Sequence, residues 1–206
     1  MRRLLHLTSC AALVLLAPSL GGCSSPQPQA DAAATTAPAD AEASGTAPGT
    51  DLSYGEGATL VWRPTASITG ELEVSVDAVS EERQSVLDGW LRDDAMAASR
   101  PYFVTVTVTN TGTSDLGGQA VPVYLRDDNG KLGAAWTFGG DFTACQSGPL
   151  PTPFTTGAET EMCLVYLAPD RARVDAVVFE PTEGYDPITW TGAVQRPESS
   201  RRSRGG

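Results

Sequence analysis

Residues 103–109 read Phe-Val-Thr-Val-Thr-Val-Thr, and no other stretch constrains the fold as tightly. β-Branched side chains lose rotamer freedom in a helix and pack well on a pleated surface. With a period of two, Val104, Val106 and Val108 point one way and Thr105, Thr107 and Thr109 the other. The run is therefore a strand with one apolar face, and such a strand needs partners that bury that face.

Those partners are legible. Leu72, Val74, Val76 and Ala78 alternate with Glu71, Glu73, Ser75 and Asp77. Further strands are predicted at 59–62, 120–125, 132–138, 161–167, 173–179 and 188–191. Within 161–167, Met162, Leu164 and Tyr166 share one face and Cys163, Val165 and Leu167 the other. Pro122 places its strand at a sheet edge, because proline donates nothing to a ladder. Asp128-Asn129-Gly130 predicts a hairpin of the type I′ class, with Asn129 and Gly130 at positive φ. Leu132, Ala134, Trp136 and Phe138 then share a face of the returning strand.

Seven or eight short strands, with a turn roughly every 8 to 15 residues, predict an all-β chain folded as an antiparallel β-sandwich. One short helix is placed over 80–92, where Val86 and Leu87 recur as Trp90 and Leu91. Ser80 would cap it, and Glu81 and Glu82 suit the positive helix start. It is expected to cover an open end of the sandwich.

Before the strands the text is different. Arg2 and Arg3 precede a mostly apolar stretch over 4–20, which Pro18 and Gly21-Gly22 then break. This is the layout of a signal peptide, and it is too short and interrupted for a membrane span. Leu20-Gly21-Gly22-Cys23 resembles the lipobox of bacterial lipoproteins. That resemblance implies cleavage after residue 22, with a diacylglycerol on the Cys23 thiol. Each buried CH₂ adds about 0.8 kcal/mol of membrane affinity, so the lipid would hold the chain at the outer face of the cell membrane. Residues 23–52 are Ala-, Pro-, Thr- and Ser-rich and read as a disordered tether, with a root-mean-square reach of about 30 Å. The sandwich is assigned to 53–193. An Arg/Ser-rich tail, 194–206, reads as a solvated basic terminus, with contact to wall polyanions as the second reading.

Composition closes several routes. Removing Arg2 and Arg3 leaves 12 basic against 25 acidic residues, a net charge of −13. That opposes nucleic-acid binding, which needs a basic footprint. The single histidine, His6, leaves with the signal, so Ser-His-Asp and Cys-His catalysis and His-ligated zinc are excluded from the mature chain. Lys131 is the one lysine, with no motif around it. Of four cysteines, Cys10 is removed and Cys23 lipidated. Cys145 and Cys163 then read as a disulfide in an oxidising exterior. A reactive dithiol is the rival reading, but redox pairs usually take Cys-X-X-Cys spacing.

Candidate sites are few. Asp127-Asp128-Asn129-Gly130 has the oxygen-rich character of a calcium loop but lacks the ligand set that follows in one. Asp93, Asp94, Asp141 and Asp175 are candidate carboxylates for a hydrolase, which needs two at a set separation. Trp62, Trp90, Trp136 and Trp190 read as core, with Trp90 and Trp190 as the two to watch for ligand stacking. Pro149, Pro151 and Pro153 lie in a stiff loop inside the disulfide ring, a candidate partner surface. The sequence assigns no catalytic residue and no cofactor.

Tyr102-Phe103-Val104-Thr105-Val106-Thr107-Val108-Thr109-Asn110-Thr111-Gly112 resembles the opening of an immunoglobulin-like domain of secreted and lipid-anchored proteins in Gram-positive bacteria. Tyr185-Asp186-Pro187-Ile188-Thr189-Trp190-Thr191-Gly192, with Cys145 and Cys163, is similar to a group of lipoproteins within that set. The likeness spans about 58 to 193 and points to high-GC bacteria. It implies an immunoglobulin-like sandwich, export and no assigned reaction. The Cys pair departs from antibody domains, where two cysteines bracket a Trp between sheets. The resulting expectation is a lipid-anchored envelope protein that binds or scaffolds without catalysis, its partner an envelope protein or glycan. A calcium- or cell-wall-glycan-binding module is the alternative, and a carboxylate hydrolase the third reading.

Overall fold

A computed structural model of the chain describes residues 45–197, apart from 139, 141 and 183. Its strands are β1 (Asp51–Ser53), β2 (Gly57–Thr65), β3 (Ile68–Glu81), β4 (Arg100–Asn110), β5 (Tyr124–Asp127), β6 (Leu132–Ala134), β7 (Glu159–Ala168), β8 (Val174–Phe179) and β9 (Ile188–Thr191). One helix, α1 (Asp94–Ala98), and two short 3₁₀ turns complete the described elements. Two sheets form, ordered β2-β3-β4-β7 and β1-β9-β8-β5-β6. They pack as an all-β sandwich.

The core follows from register. Val74, Val76 and Val79 pair with Val108, Val106 and Val104, which pair in turn with Thr160, Met162 and Leu164. Across the sandwich, Leu125 pairs with Val177, and Val177 with Trp190. These inward faces form one buried cluster. At about 25 cal/mol per Å² of apolar surface removed from water, such a cluster is the main stabilising contribution. Asp77 is the extra residue of a bulge in β3. Its carboxylate accepts from the hydroxyls of Ser75 (2.7 Å) and Thr107 (2.8 Å) on the outer face.

A second, smaller cluster covers that outer face at β4 and β7. Leu87, Phe142, Cys145 and Val165 are its buried members, with Trp90, Phe103, Phe138 and Cys163 packed around them. Trp90 meets Phe138 and Phe142 edge-on, each at 5.6 Å between ring centroids. Cys145 and Cys163 are joined in a disulfide, with Cα atoms 5.3 Å apart. The second face of β7, predicted as Cys163, Val165 and Leu167, is thus buried beneath a third layer.

The structure amends several expectations. The described residues form nine strands, and β1 pairs parallel with β9, so the sandwich is not wholly antiparallel. Residues 120–123 precede their strand, and β5 lies between β8 and β6 rather than at an edge. Pro122 therefore sits outside the ladder, where it needs no N–H. The helix is not at 80–92. Ser80 and Glu81 continue β3 opposite Phe103 and Tyr102, and only a 3₁₀ turn forms at 84–87. The α-helix starts after Asp93, whose Oδ1 accepts from Met96 N at 2.8 Å. In the β5–β6 hairpin only Gly130 takes positive φ (77°). The turn is a three-residue one, closed by Gly130 N to Asp127 O and Asp127 N to Lys131 O.

The domain is also longer than 53–193. Thr46 N bonds Thr59 O, Gly49 N bonds Asp186 O and β1 joins the sheet, so residues 45–52 belong to it rather than to the tether. At the other end Gln195 bridges Ser80, and Arg196 lies 3.9 Å from Glu81.

Candidate functional site

A hollow with a volume of about 370 Å³ opens at one end of the sandwich. It forms where the chain leaves β2, enters β5 and leaves β6 and β8. Trp62, Arg63 and Pro64 supply one wall. Residues 119–124, Ala134, Ala135 and Pro181 supply the rest. Its size lies at the lower end of the range for ligand pockets, and its lining mixes apolar walls with a few polar groups, as such pockets do.

Each wall has a structural cause. Trp62 is half-buried and lies over Gly70, its partner across the β2–β3 pair. A Cβ at position 70 would sit 2.5 Å from the indole, so only glycine lets the ring lie flat there. The opposite wall is tied down by the proline loop of the disulfide ring. Leu150 N donates to Gln119 O (2.8 Å) and Gly118 N to Leu150 O (3.0 Å). Leu116 N bonds Phe154 O at 3.0 Å. Asp115 Oδ1 accepts from Gly117 N and Phe154 N, both at 2.9 Å, and these bonds hold its carboxyl below the usual carboxylate range. Arg63 is the only charged residue in the lining. Tyr124 stands half-buried beside Ala134.

The residues singled out from sequence are scattered by the fold. Trp190 is 0 % exposed and donates from Nε1 to Glu56 O at 2.9 Å, so it is core and no stacking platform. Trp90 is half-buried in the outer aromatic cluster. Pro149, Pro151 and Pro153 are exposed, while Leu150 and Phe154 between and after them plug the main core. The loop therefore acts first as a brace for the cleft wall. Trp62 and Trp136, both read as core, are half-buried and 41 % exposed respectively.

Among the described residues, Asp93 and Asp175 serve separate elements. Asp93 caps α1, and Asp175 pairs with Arg126 at 2.8 Å. Asp141 lies outside the described residues. Asp127 is buried, and its Oδ1 accepts from Asn129 N and Lys131 N, both at 2.9 Å. Its Oδ2 is buried without a hydrogen-bond partner. Asp128 Oδ1 accepts from Arg173 N at 3.1 Å. These bonds build the hairpin turn, and among the described residues no group of three or more His, Cys, Asp or Glu is arranged to hold a metal ion. Cys23, the signal segment 1–22, most of the tether and residues 198–206 also lie outside the described residues.

Sequence reasoning missed the cleft because its walls come from four separated segments. The one local hint is the apposition of Trp62 and Gly70, readable only once β2 and β3 are paired. Comparison with protein-family models, curated proteins and solved structures finds no match to this chain.

Proposed function

We propose that this chain is a lipoprotein anchored through Cys23 at the outer face of the cell membrane, and that its sandwich holds an extended segment of another envelope protein without catalysis. The observation that carries this reading is the cleft of about 370 Å³ between Trp62 and Tyr124. A rigid pocket loses little entropy when it is filled, and this one is braced on both sides. Pro64, Pro122 and Pro181 add walls that cannot flex in φ. Trp62 and Tyr124 offer large amphipathic contact areas, the residue types that dominate binding hot spots. Arg63 presents a planar fork of donors suited to a carboxylate or a main-chain carbonyl.

The test is site-directed photo-crosslinking of the full-length chain on intact cells. A crosslinking side chain replaces Ala134 in the cleft, or Thr107 on the outer sheet face as the control. The expected result is a discrete adduct from position 134, lost in Trp62→Ala, and release of the chain from membranes in Cys23→Ala. Equal labelling from both positions, or none from position 134, would overturn the cleft assignment. Membrane retention of Cys23→Ala would overturn the anchor.

A further inference from the structure

Trp136 is the most exposed of the four tryptophans, and its backbone is held in place. It is 41 % exposed, and its backbone N–H donates to Val165 O at 2.7 Å across an isolated bridge to β7. Beside it lies a hollow of about 150 Å³. Met96, Leu167 and Pro169 line its apolar side, and Asp93 adds a carboxylate. Met96 is buried and fixed, since its N–H is held by Asp93 and its carbonyl by Ser99 Oγ at 2.6 Å.

The Asp93 carboxylate decides the ligand chemistry. Only its Oδ1 is engaged by the helix cap, which leaves Oδ2 for a ligand. Asp94 follows it in the first turn and is also exposed. Arg100, across Ser99, is already paired with Glu81 at 2.6 Å. Arg171 lines the neighbouring hollow, not this one. An indole face attracts a cation through its quadrupole, and the attraction grows where water is partly excluded. A carboxylate beside it adds charge complementarity, in a chain whose net charge is already −11.

We propose that the Trp136–Asp93 hollow binds a small organic ammonium ion, its methyl or methylene groups against Met96, Leu167 and the indole and its charge facing Asp93. This site is separate from the Trp62 cleft, and neither reading depends on the other.

The test uses the full-length chain in maltoside micelles, titrated with choline and with 3,3-dimethylbutan-1-ol, its neutral isostere. The readout is the Trp136 indole N–H resonance, assigned from Trp136→Phe. Choline is expected to shift it saturably, and the isostere to bind at least fivefold more weakly. Asp93→Asn keeps an oxygen for the helix cap but removes the charge, and should weaken choline at least fivefold with an unchanged unfolding midpoint. Trp62→Ala should leave choline binding as it is. Vesicles of phosphatidylcholine in place of free choline distinguish the sources: a Trp136 shift with the vesicles alone would make the ligand a lipid headgroup. Equal affinity for the isostere, full binding by Asp93→Asn, or no shift at Trp136 with either choline source would overturn the proposal.

Discussion

Replacing both Cys145 and Cys163 with alanine should destabilise the whole domain. The bridge closes a loop over a sequence separation of 18 residues. The chain-entropy relation for a loop of that length gives about 11 cal/mol/K, or about 3 kcal/mol at 25 °C. That figure belongs to the unfolded chain and presumes that the native loop stays where it is without the bridge. The structure supports this presumption, because Leu150 and Phe154 are buried in the main core and their backbone bonds to 116–119 do not involve sulfur. Loss of the buried Cys145 sulfur adds to the effect, so the total should fall at about 3–5 kcal/mol. For a domain of this size that is a fall in midpoint of roughly 6–20 °C. Urea unfolding of oxidised wild type and the double variant, followed by tryptophan fluorescence and far-UV circular dichroism, measures it. A loss below about 1 kcal/mol, or separate transitions for the two probes, would refute the reasoning. Either result would mean that the bridge only pins the outer aromatic cluster.

Three further outcomes are expected. Asn110 is 0 % exposed; its Nδ2 donates to Ser114 O (2.8 Å) and Phe154 O (2.7 Å), and its Oδ1 accepts from Gly112 N (3.0 Å). Asn110→Ala strands these partners and should cost about 2–4 kcal/mol in denaturant unfolding; a loss under 1 kcal/mol would show that water replaces them. Trp190→Ala should cost about 3–5 kcal/mol and leave partner capture at Ala134 intact in whatever fraction stays folded; a variant of wild-type stability would contradict its burial. Burial pushes the Tyr54 phenol up to about 12, and Asp175 adds to the rise. The unfolded chain loses that proton first, so stability is full below about pH 10 and falls as pH rises toward 12. The Tyr54 share, on the order of 1 kcal/mol after solvent screening, should vanish in Tyr54→Phe; an identical alkaline fall in both proteins would assign it to other groups.

What the sequence reveals depends on how local the cause is. β4 and β7 are legible because alternation is a property of neighbouring residues and both strands are long. The disulfide is legible because compartment and count leave one pair. β1 is not, since Asp51-Leu52-Ser53 has a single apolar side chain and becomes a strand only through its parallel partner. The tryptophans divide for a similar reason. Alternation assigns Trp62, Trp136 and Trp190 to faces, but which face is covered depends on loops from elsewhere in the chain. Phe142 and Trp90 cover β7, while nothing in the sandwich covers Trp136 to the same degree. The helix lies wholly beyond the expected 80–92, at Asp94–Ala98, because Ser80 finds a ladder partner in Phe103, and pairing outweighs a cap. The cleft is the least legible feature, as its four wall segments are separated in the chain and meet only once the sheets are formed.

The parallel pairing of β1 with β9 gives the domain a mechanical direction. The two strands lie at opposite ends of the chain and run the same way, tied by Thr189 N to Thr50 O (2.9 Å) and Tyr54 N to Thr191 O (3.0 Å). A pull applied at the two termini draws β1 backward from its start and β9 forward from its end. The force then lies along the strands, and their ladder bonds must shear together. In an antiparallel terminal hairpin the same pull would peel them apart one at a time. A domain held from its N-terminal side against a load near its C-terminal end would therefore resist rupture through this pair of strands.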